Sequence, residues 1–293
     1  MTSIREPFPS PYLVSFDGGF RIAEAPTVPP TGVPDKKHLK AELREVVDEL
    51  SDLQRVLYAH DHHAVLLIFQ AMDAAGKDST IRNVFSGVNP TGFQVASFKK
   101  PSAEELDHDF LWRTARRLPE RGRIGVFNRS YYEETLVVKV HPEYLDGQRL
   151  PADVDRDAIW EHRYESIRDH EQHLVRNGTA VVKFFLHVSK EAQRRRFLSR
   201  LDEPEKNWKF ATGDVHERGF WDAYQQAYQD ALRATSRPWA PWYAVPADNK
   251  PFLRLTVAQI VAGTLRSLGL RYPEPDPDER AHFDEMRRQL ETE

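Results

Sequence analysis

V-L-L-I-F-Q-A-M-D-A-A-G-K-D-S-T, residues 65–80, runs an apolar segment into a turn of small residues that carries Gly76 and Lys77 and then opens into a helix. A buried strand feeding such a turn aims backbone N–H groups and a helix N-terminus at one point. Anionic oxygens gather there and a lysine neutralises them. Phosphate chemistry is therefore the first expectation. The stretch departs twice from G-x-x-x-x-G-K-[ST]: Ala71 stands where the first glycine would be, and Asp78 follows the lysine in place of a hydroxyl. An ordinary strand-turn-helix corner with a solvated lysine is the competing reading. Asp73 and Asp78 tell against it, because two carboxylates beside a phosphate repel it unless a divalent cation lies between them.

Working outward, further strands are expected at 93–98, 123–128, 180–188 and 242–246, separated by helical stretches. Strands alternating with helices imply a parallel, doubly wound sheet with its site at the carboxyl ends of the strands. Leu39, Leu43, Val46, Leu50, Leu53 and Leu57 form the seam of an amphipathic helix that starts near Asp35. Ser102 with Glu105 makes a capping box for a helix reaching about Leu118, Trp160 to Leu174 marks another ending at Gly178, and Asp214 with Glu217 starts a third. Residues 1–34 hold seven prolines and no helical period, and read as an extended arm.

Two more segments fall where this geometry puts the site. The strand 123–128 ends in N-R-S-Y-Y-E-E, placing Asn128, Arg129 and Glu133 at its mouth, with Ser130 as a cap. A metal-directed aspartate usually stands at the amide's position, and Glu133 restores the carboxylate if the chain turns back toward the ion. Residues 194–209, R-R-R-F-L-S-R-L-D-E-P-E-K-N-W-K, carry six basic and three acidic side chains. Such a run is either a solvated helix face or a lid whose arginines close over phosphates.

The 293 residues, 40% of them hydrophobic, can bury one substantial core. No stretch approaches a membrane span and no secretory leader is expected, so membrane association is not anticipated. Zero cysteines excludes disulfides and thiolate chemistry and agrees with a cytoplasmic address. With a net charge of −4, a polyanion must be bound through a local basic field, and nucleic acid is not an expected partner. His60, His62 and His63 precede the first strand, at the edge opposite the expected site, and are not read as metal ligands. The tryptophans are read as core or lid packing.

Six segments in order carry a resemblance: Q-A-M-D-A-A-G-K-D-S-T (70–80), S-G-V-N-P-T-G (86–92), F-K-K-P-S-A-E-E-L-D-H-D-F-L-W-R (98–113), F-N-R-S-Y-Y-E-E (127–134), L-D-E-P-E-K-N-W-K-F (201–210) and A-P-W-Y-A-V-P-A-D-N-K (240–250). With these the chain resembles the polyphosphate kinase 2 family. The resemblance implies an α/β fold, a P-loop kinase-like three-layer sandwich with a parallel five-stranded sheet and a helical lid at about 190–235. The phosphotransferase domain would span 35–272, followed by an acidic tail at 273–293. It implies reversible transfer of the terminal phosphoryl group of inorganic polyphosphate to AMP and/or ADP, with Mg²⁺ or Mn²⁺, by a homo-oligomer (dimer or tetramer).

By the same resemblance Asp73 binds metal and orients the accepting phosphate, Lys77 contacts phosphates and Arg129 supports the transferring group. Glu133 completes the catalytic and metal-binding set. Ala74, Ala75, Gly76, Asp78, Ser79, Thr80, Arg82, Lys99, Asn128, Arg194, Arg200 and Lys209 are the expected polyphosphate- and nucleotide-binding residues. Relatives that act mainly on diphosphates tend to read D-R-S-x-Y-N where this chain has Asn128 and Glu133, an exchange that looks like the subgroup accepting both AMP and ADP. The competing readings are an ATP-dependent kinase of similar fold and a non-catalytic polyanion or nucleotide sensor.

Overall fold

The computed structural model describes residues 6–293. Its sheet holds five strands: β1 (Ala64–Gln70), β2 (Phe93–Ser97), β3 (Ile124–Asn128), β4 (Thr179–His187) and β5 (Trp242–Pro246). They lie in the order β2-β3-β1-β4-β5, and every pairing is parallel. β1 sits between β3 and β4 with helices over both faces of the sheet, and every residue of it is buried. This is why it reads as an unbroken apolar run and not as an alternation. Strand order reverses at β1, which makes its carboxyl end the switch point where a ligand crevice forms.

The helices cover both faces. α1 (Lys36–His60) is capped by Asp35, whose side chain accepts from the backbone of Lys37 and His38. Its buried stripe is Leu39, Leu43, Val47, Leu50, Gln54 and Leu57, whereas Val46 and Leu53 are only partly buried. The expected 3.5-residue seam is thus displaced, because a single straight helix advances at 3.6 residues per turn. α2 (Lys77–Val84) follows the phosphate loop.

The helix expected from Ser102 to about Leu118 is instead two short pieces, α3 (Ala103–Leu106) and α4 (Trp112–Ala115). The capping box at Ser102 is present. Between the pieces the Asp109 side chain accepts from the Leu111 backbone at 2.9 Å, a local turn that competes with helix continuation. α5 (Val137–Val140) and α6 (Ile159–Arg176) precede β4. Beyond it come α7 (Lys190–Asp202), α8 (Pro204–Asn207), α9 (Thr212–Glu217) and α10 (Trp221–Thr235). The helix expected to start at Asp214 begins two residues earlier and ends at Glu217, so the pair is not its cap. α10 is no part of a lid either: Trp221, Tyr224, Ala227, Tyr228, Ala231 and Leu232 bury one face in the core.

α11 (Lys250–Arg266) packs on α1, α2 and β5, while α6 packs on β4 and α10 on α6, giving helices on both faces of the sheet. Residues 12–14 lie beside β5: Val14 donates to the Trp242 carbonyl at 2.9 Å and Ala244 to that of Tyr12 at 2.8 Å. Phe8 lies on Gly263 of α11, where any Cβ would stand 2.0 Å from the ring. At the other end, α12 (Pro277–Ala281) and α13 (Phe283–Glu291) are exposed throughout.

Candidate active site

The loop between β1 and α2 is shaped by two left-handed residues, Ala74 (φ 58°) and Gly76 (φ 111°). Glycine takes that conformation freely, and Ala74 holds it at a cost of about 1 kcal/mol. Lys77 opens α2 and folds its ammonium back onto the Ala71 carbonyl at 2.9 Å. Burial lowers its pKa to about 8, helped by the nearby Arg129 guanidinium and opposed by Asp73, Glu133 and Asp78. An anion in the loop would restore the charged form.

The end of β3 is fixed with equal care. Arg129 also has a left-handed backbone (φ 64°), and its N–H donates to the Phe69 carbonyl of β1 at 3.0 Å. From there its guanidinium spreads between two carboxylates, Asp73 at 3.0 Å and Glu133 at 3.1 Å. Glu133, followed by burial and then Asp73, sets its acidity, and the net effect holds the guanidinium even more firmly charged. Everything else in the segment faces inward. Ser130 accepts from the Gln70 amide and caps the 3₁₀ turn Tyr131–Thr135. Tyr131 and Tyr132 both donate to Glu171 of α6, at 3.0 and 2.8 Å. Glu171 in turn pairs with Lys183 of β4 at 2.5 Å, and Lys183 also donates to Tyr132 Oη and the Thr235 carbonyl. Glu134, next to the functional Glu133, is buried against Arg163 and Gln148.

Two chambers meet at Asp73 and Arg129. The larger, about 1040 Å³, has ten lysine or arginine side chains in its wall against the carboxylates of Asp73 and Asp78. Two of its arginines knit the lid helix to the protein. Arg196 of α7 donates to the carbonyls of Ala74, Ala75, Ala247 and Asp248 at 2.6–3.1 Å, and Arg200 pairs with Asp214 at 3.1 Å. Burial and then neighbouring cations, Arg196 first, lower the pKa of Lys250, a mark of positive crowding. The Asn128 amide donates to Asp78 at 2.7 Å, tying the second motif to α2.

The smaller chamber, about 310 Å³, has Asp73, Glu133, Asp214 and Glu217 in its wall against Arg129 and Arg218. Burial, with Asp73 next, raises the pKa of Asp214. Glu217 is held by Tyr224 at 2.7 Å and His141 at 3.0 Å. Gln193 of α7 donates to the Asp73 carbonyl at 3.0 Å and accepts from Arg218 at 2.7 Å, so lid and loop share one polar strut. Among the described residues no three His, Asp or Glu side chains converge into a self-sufficient metal site. A divalent cation bound here would complete its shell with substrate phosphates and water beside one or two protein carboxylates. Asp73 and Glu133, the two carboxylates joined by Arg129, both lie in this wall.

Of the residues expected at the site, Asp73, Ala74, Ala75, Gly76, Lys77, Asp78, Ser79, Arg82, Lys99, Asn128, Arg129, Arg200 and Lys209 line the basic chamber, and Glu133 lines the acidic one. Two are placed elsewhere. Thr80 is fully buried behind the loop, its hydroxyl without a hydrogen-bond partner in the structure, because its position on α2 faces the sheet. Arg194 projects outward and pairs with Glu191 at 3.6 Å, and Arg196 takes the inward place. Lys100, Arg196, Lys206 and Lys250 also line the chamber and were not singled out, although Lys100, Lys206 and Lys250 lie within quoted motifs and Arg196 within the quoted basic run. Trp208, read as packing, is 78% exposed and stacks only under Lys209. The histidines at 60, 62 and 63 lie before β1, at the opposite end of that strand from the site.

A parallel sheet whose central strand feeds an anion-binding turn, under a helix of inward-facing arginines, defines a P-loop phosphotransferase. Residues 34–270 match the family described as Polyphosphate kinase 2, and the chain belongs to it. It is 59% identical over 256 residues, 87% of this chain and 89% of the relative, to an ADP-polyphosphate phosphotransferase of Rhodopseudomonas palustris. It is 43% identical over 266 residues, 90% of this chain and 96% of the relative, to an AMP/ADP-polyphosphate phosphotransferase of Meiothermus ruber. The crystal structure of Polyphosphate Kinase 2 from Arthrobacter aurescens TC1 superposes with a TM-score of 0.83 at 38% identity, covering 91% of this chain and 93% of that one. No helix among the described residues is long and apolar enough to cross a membrane.

Proposed function

We propose that the protein transfers the terminal phosphoryl group of inorganic polyphosphate to AMP or ADP, forming ADP or ATP, in a reversible reaction. The observation that carries this reading is the Arg129 fork, which joins Asp73 and Glu133 where a cation-lined chamber meets a carboxylate-lined one. One relative is named for ADP and another for both AMP and ADP, in keeping with an acceptor of either length.

Polyphosphate occupies the basic chamber with its end group in the loop, where the Lys77 ammonium and the backbone N–H groups of Gly76 and Lys77 neutralise and align it. The nucleotide enters by the acidic chamber beneath the lid. A nucleotide phosphate oxygen attacks the terminal phosphorus; the new P–O bond forms as the bridging P–O bond breaks, and the leaving chain departs one phosphate shorter. Arg129 spans donor and acceptor and stabilises charge on the transferring group, so no protein nucleophile is needed. Bound Mg²⁺ or Mn²⁺, held by Asp73 and Glu133, would neutralise phosphate charge. Both bonds are phosphoanhydrides, which is why the reaction runs in either direction.

Purified protein with Mg²⁺, polyphosphate and AMP or ADP, with product nucleotides resolved by chromatography, tests the reading. ADP or ATP should accumulate only when metal and polyphosphate are both present, and Asp73→Asn should abolish turnover without changing the melting temperature. Full activity in that variant, or product formation that requires ATP as donor, would overturn it.

A further inference from the structure

The basic chamber does not end at Lys100. A second cavity of about 460 Å³ shares Ser97, Lys99 and Lys100 with its wall and continues to Arg117. Together they form a trough along β2, an edge strand of the sheet. β2 pairs only with β3, so among the described residues its outer N–H groups have no strand partner and remain available to anionic oxygens.

The trough has a built floor. Arg113, almost wholly buried, donates to the Lys99 carbonyl at 2.8 Å and lies 3.6 Å from Glu105. Glu105 accepts from the Ser102 backbone at 2.9 Å, so the turn that carries Lys99 and Lys100 is pinned from below. Arg113 and Glu105 satisfy each other. Lys99, Lys100 and Arg117 are left exposed, and none of them has a carboxylate within ion-pair distance among the described residues. Across the chamber, Arg200 is paired with Asp214 and Lys206 with Glu203. Lys99, Lys100 and Arg117 thus form a run of uncompensated positive charge along β2, apart from the cations on the lid side.

We propose that this trough is a distal subsite for the polyphosphate chain, with Lys99 and Lys100 at its junction with the catalytic chamber and Arg117 at its far end. It rests on polyphosphate being the donor. The reacting end lies in the loop, and the remainder of a long chain leaves along β2. Long chains gain contacts that a three-phosphate chain does not make, so the protein discriminates donors by length at a residue remote from the chemistry.

The test compares the unaltered protein with Arg117→Ala, Arg117→Glu and Arg117→Lys, measuring the dissociation constants of long-chain polyphosphate and tripolyphosphate by titration calorimetry. Arg117→Ala should weaken long-chain binding about fivefold and Arg117→Glu further, with a shallower salt dependence, while tripolyphosphate binding stays unchanged. Arg117→Lys should restore the preference, and kcat with saturating long-chain donor should not move. Equal losses for both ligands, or no loss for either, overturns the subsite. Failure of the unaltered protein to turn over any polyphosphate would instead remove the donor reading, and the binding comparison would still decide whether the trough takes the chain.

Discussion

The basic chamber and the acidic chamber share Asp73 and Arg129 and oppose each other in charge: ten cations against two carboxylates on one side, four carboxylates against two arginines on the other. A polyanion is welcome in the first without help, because the protein supplies the counter-charge. In the second, a bare nucleotide phosphate would meet four carboxylates, of which Asp214 is already raised by burial and then by Asp73. It is accommodated only together with a cation. On the proposed reading the division puts donor and acceptor on different sides, with Arg129 as the wall between them.

Removing that wall should have the largest effect. Arg129→Ala takes away the group that spans donor and acceptor and leaves Asp73 and Glu133 facing each other unshielded. We expect kcat to fall about a thousandfold, in the range found for arginines that stabilise a transferring phosphoryl group. The melting temperature should change little. Single-turnover assays check this, and a loss of less than tenfold would break the distinction between the chambers.

Next in size is the anchor behind the wall. Tyr131 and Tyr132 hold the turn only because Glu171 accepts from both, and Glu171 is itself charge-compensated by Lys183 in a site with no solvent access. Glu171→Gln leaves a buried ammonium without its counter-charge, at a cost of about 3 kcal/mol read by urea denaturation. Glu171→Leu combined with Lys183→Met removes both charges and should recover much of that stability. Recovery of stability without recovery of kcat would show that the anchor sets the position of Arg129 as well as the fold.

A smaller effect sharpens the donor side alone. Lys77 titrates at about 8 in the free protein, lowered mainly by burial. Only its charged form neutralises phosphate, so kcat/KM for polyphosphate should fall as pH rises through 8, approaching tenfold per unit. Bound polyphosphate favours the ammonium and moves the same limb of kcat to higher pH. Lys77→Arg, lower in activity, should lose this limb because a guanidinium stays charged. A kcat/KM that is flat to pH 9.5 would separate Lys77 from the donor.

How much of this was legible in the sequence depends on the kind of force at each position. β1, β3, β4 and β5 were readable because strands buried on both faces are largely apolar runs, and the loop because Gly76 and Lys77 follow one of them directly; β2, none of whose residues is buried, offers no such run. Tertiary partners were not. Nothing adjacent distinguishes Glu133, which faces the site, from Glu134, which is spent on Arg163. A lysine in the middle of A-V-V-K-F-F-L-H-V does announce a buried partner, since an unpaired charge could not stay there. Its identity as Glu171, on the preceding helix, emerges only from packing. The division into two chambers was equally hidden, because their walls are gathered from distant segments.

The arginine run at 194–196 isolates the same limit in one helix and supplies the finest comparison. Successive residues on a helix point about 100° apart, so of three consecutive arginines only one can face the loop. Ala192 and Phe197 are buried, and that phase puts Gln193, Arg196 and Arg200 on the inner face at spacings of three and four. Arg194 and Arg195 are left to pair with Glu191 in solvent. Arg194→Ala should therefore change kcat/KM less than twofold, as exposed ion pairs are worth little. Arg196→Ala removes hydrogen bonds to four carbonyls that join α7 to the loop and to residues 247–248, and should lower kcat about tenfold or more. Steady-state kinetics on the pair decides it: equal losses would mean that the run acts as a diffuse positive field, and that the helix phase plays no part in shaping the basic chamber.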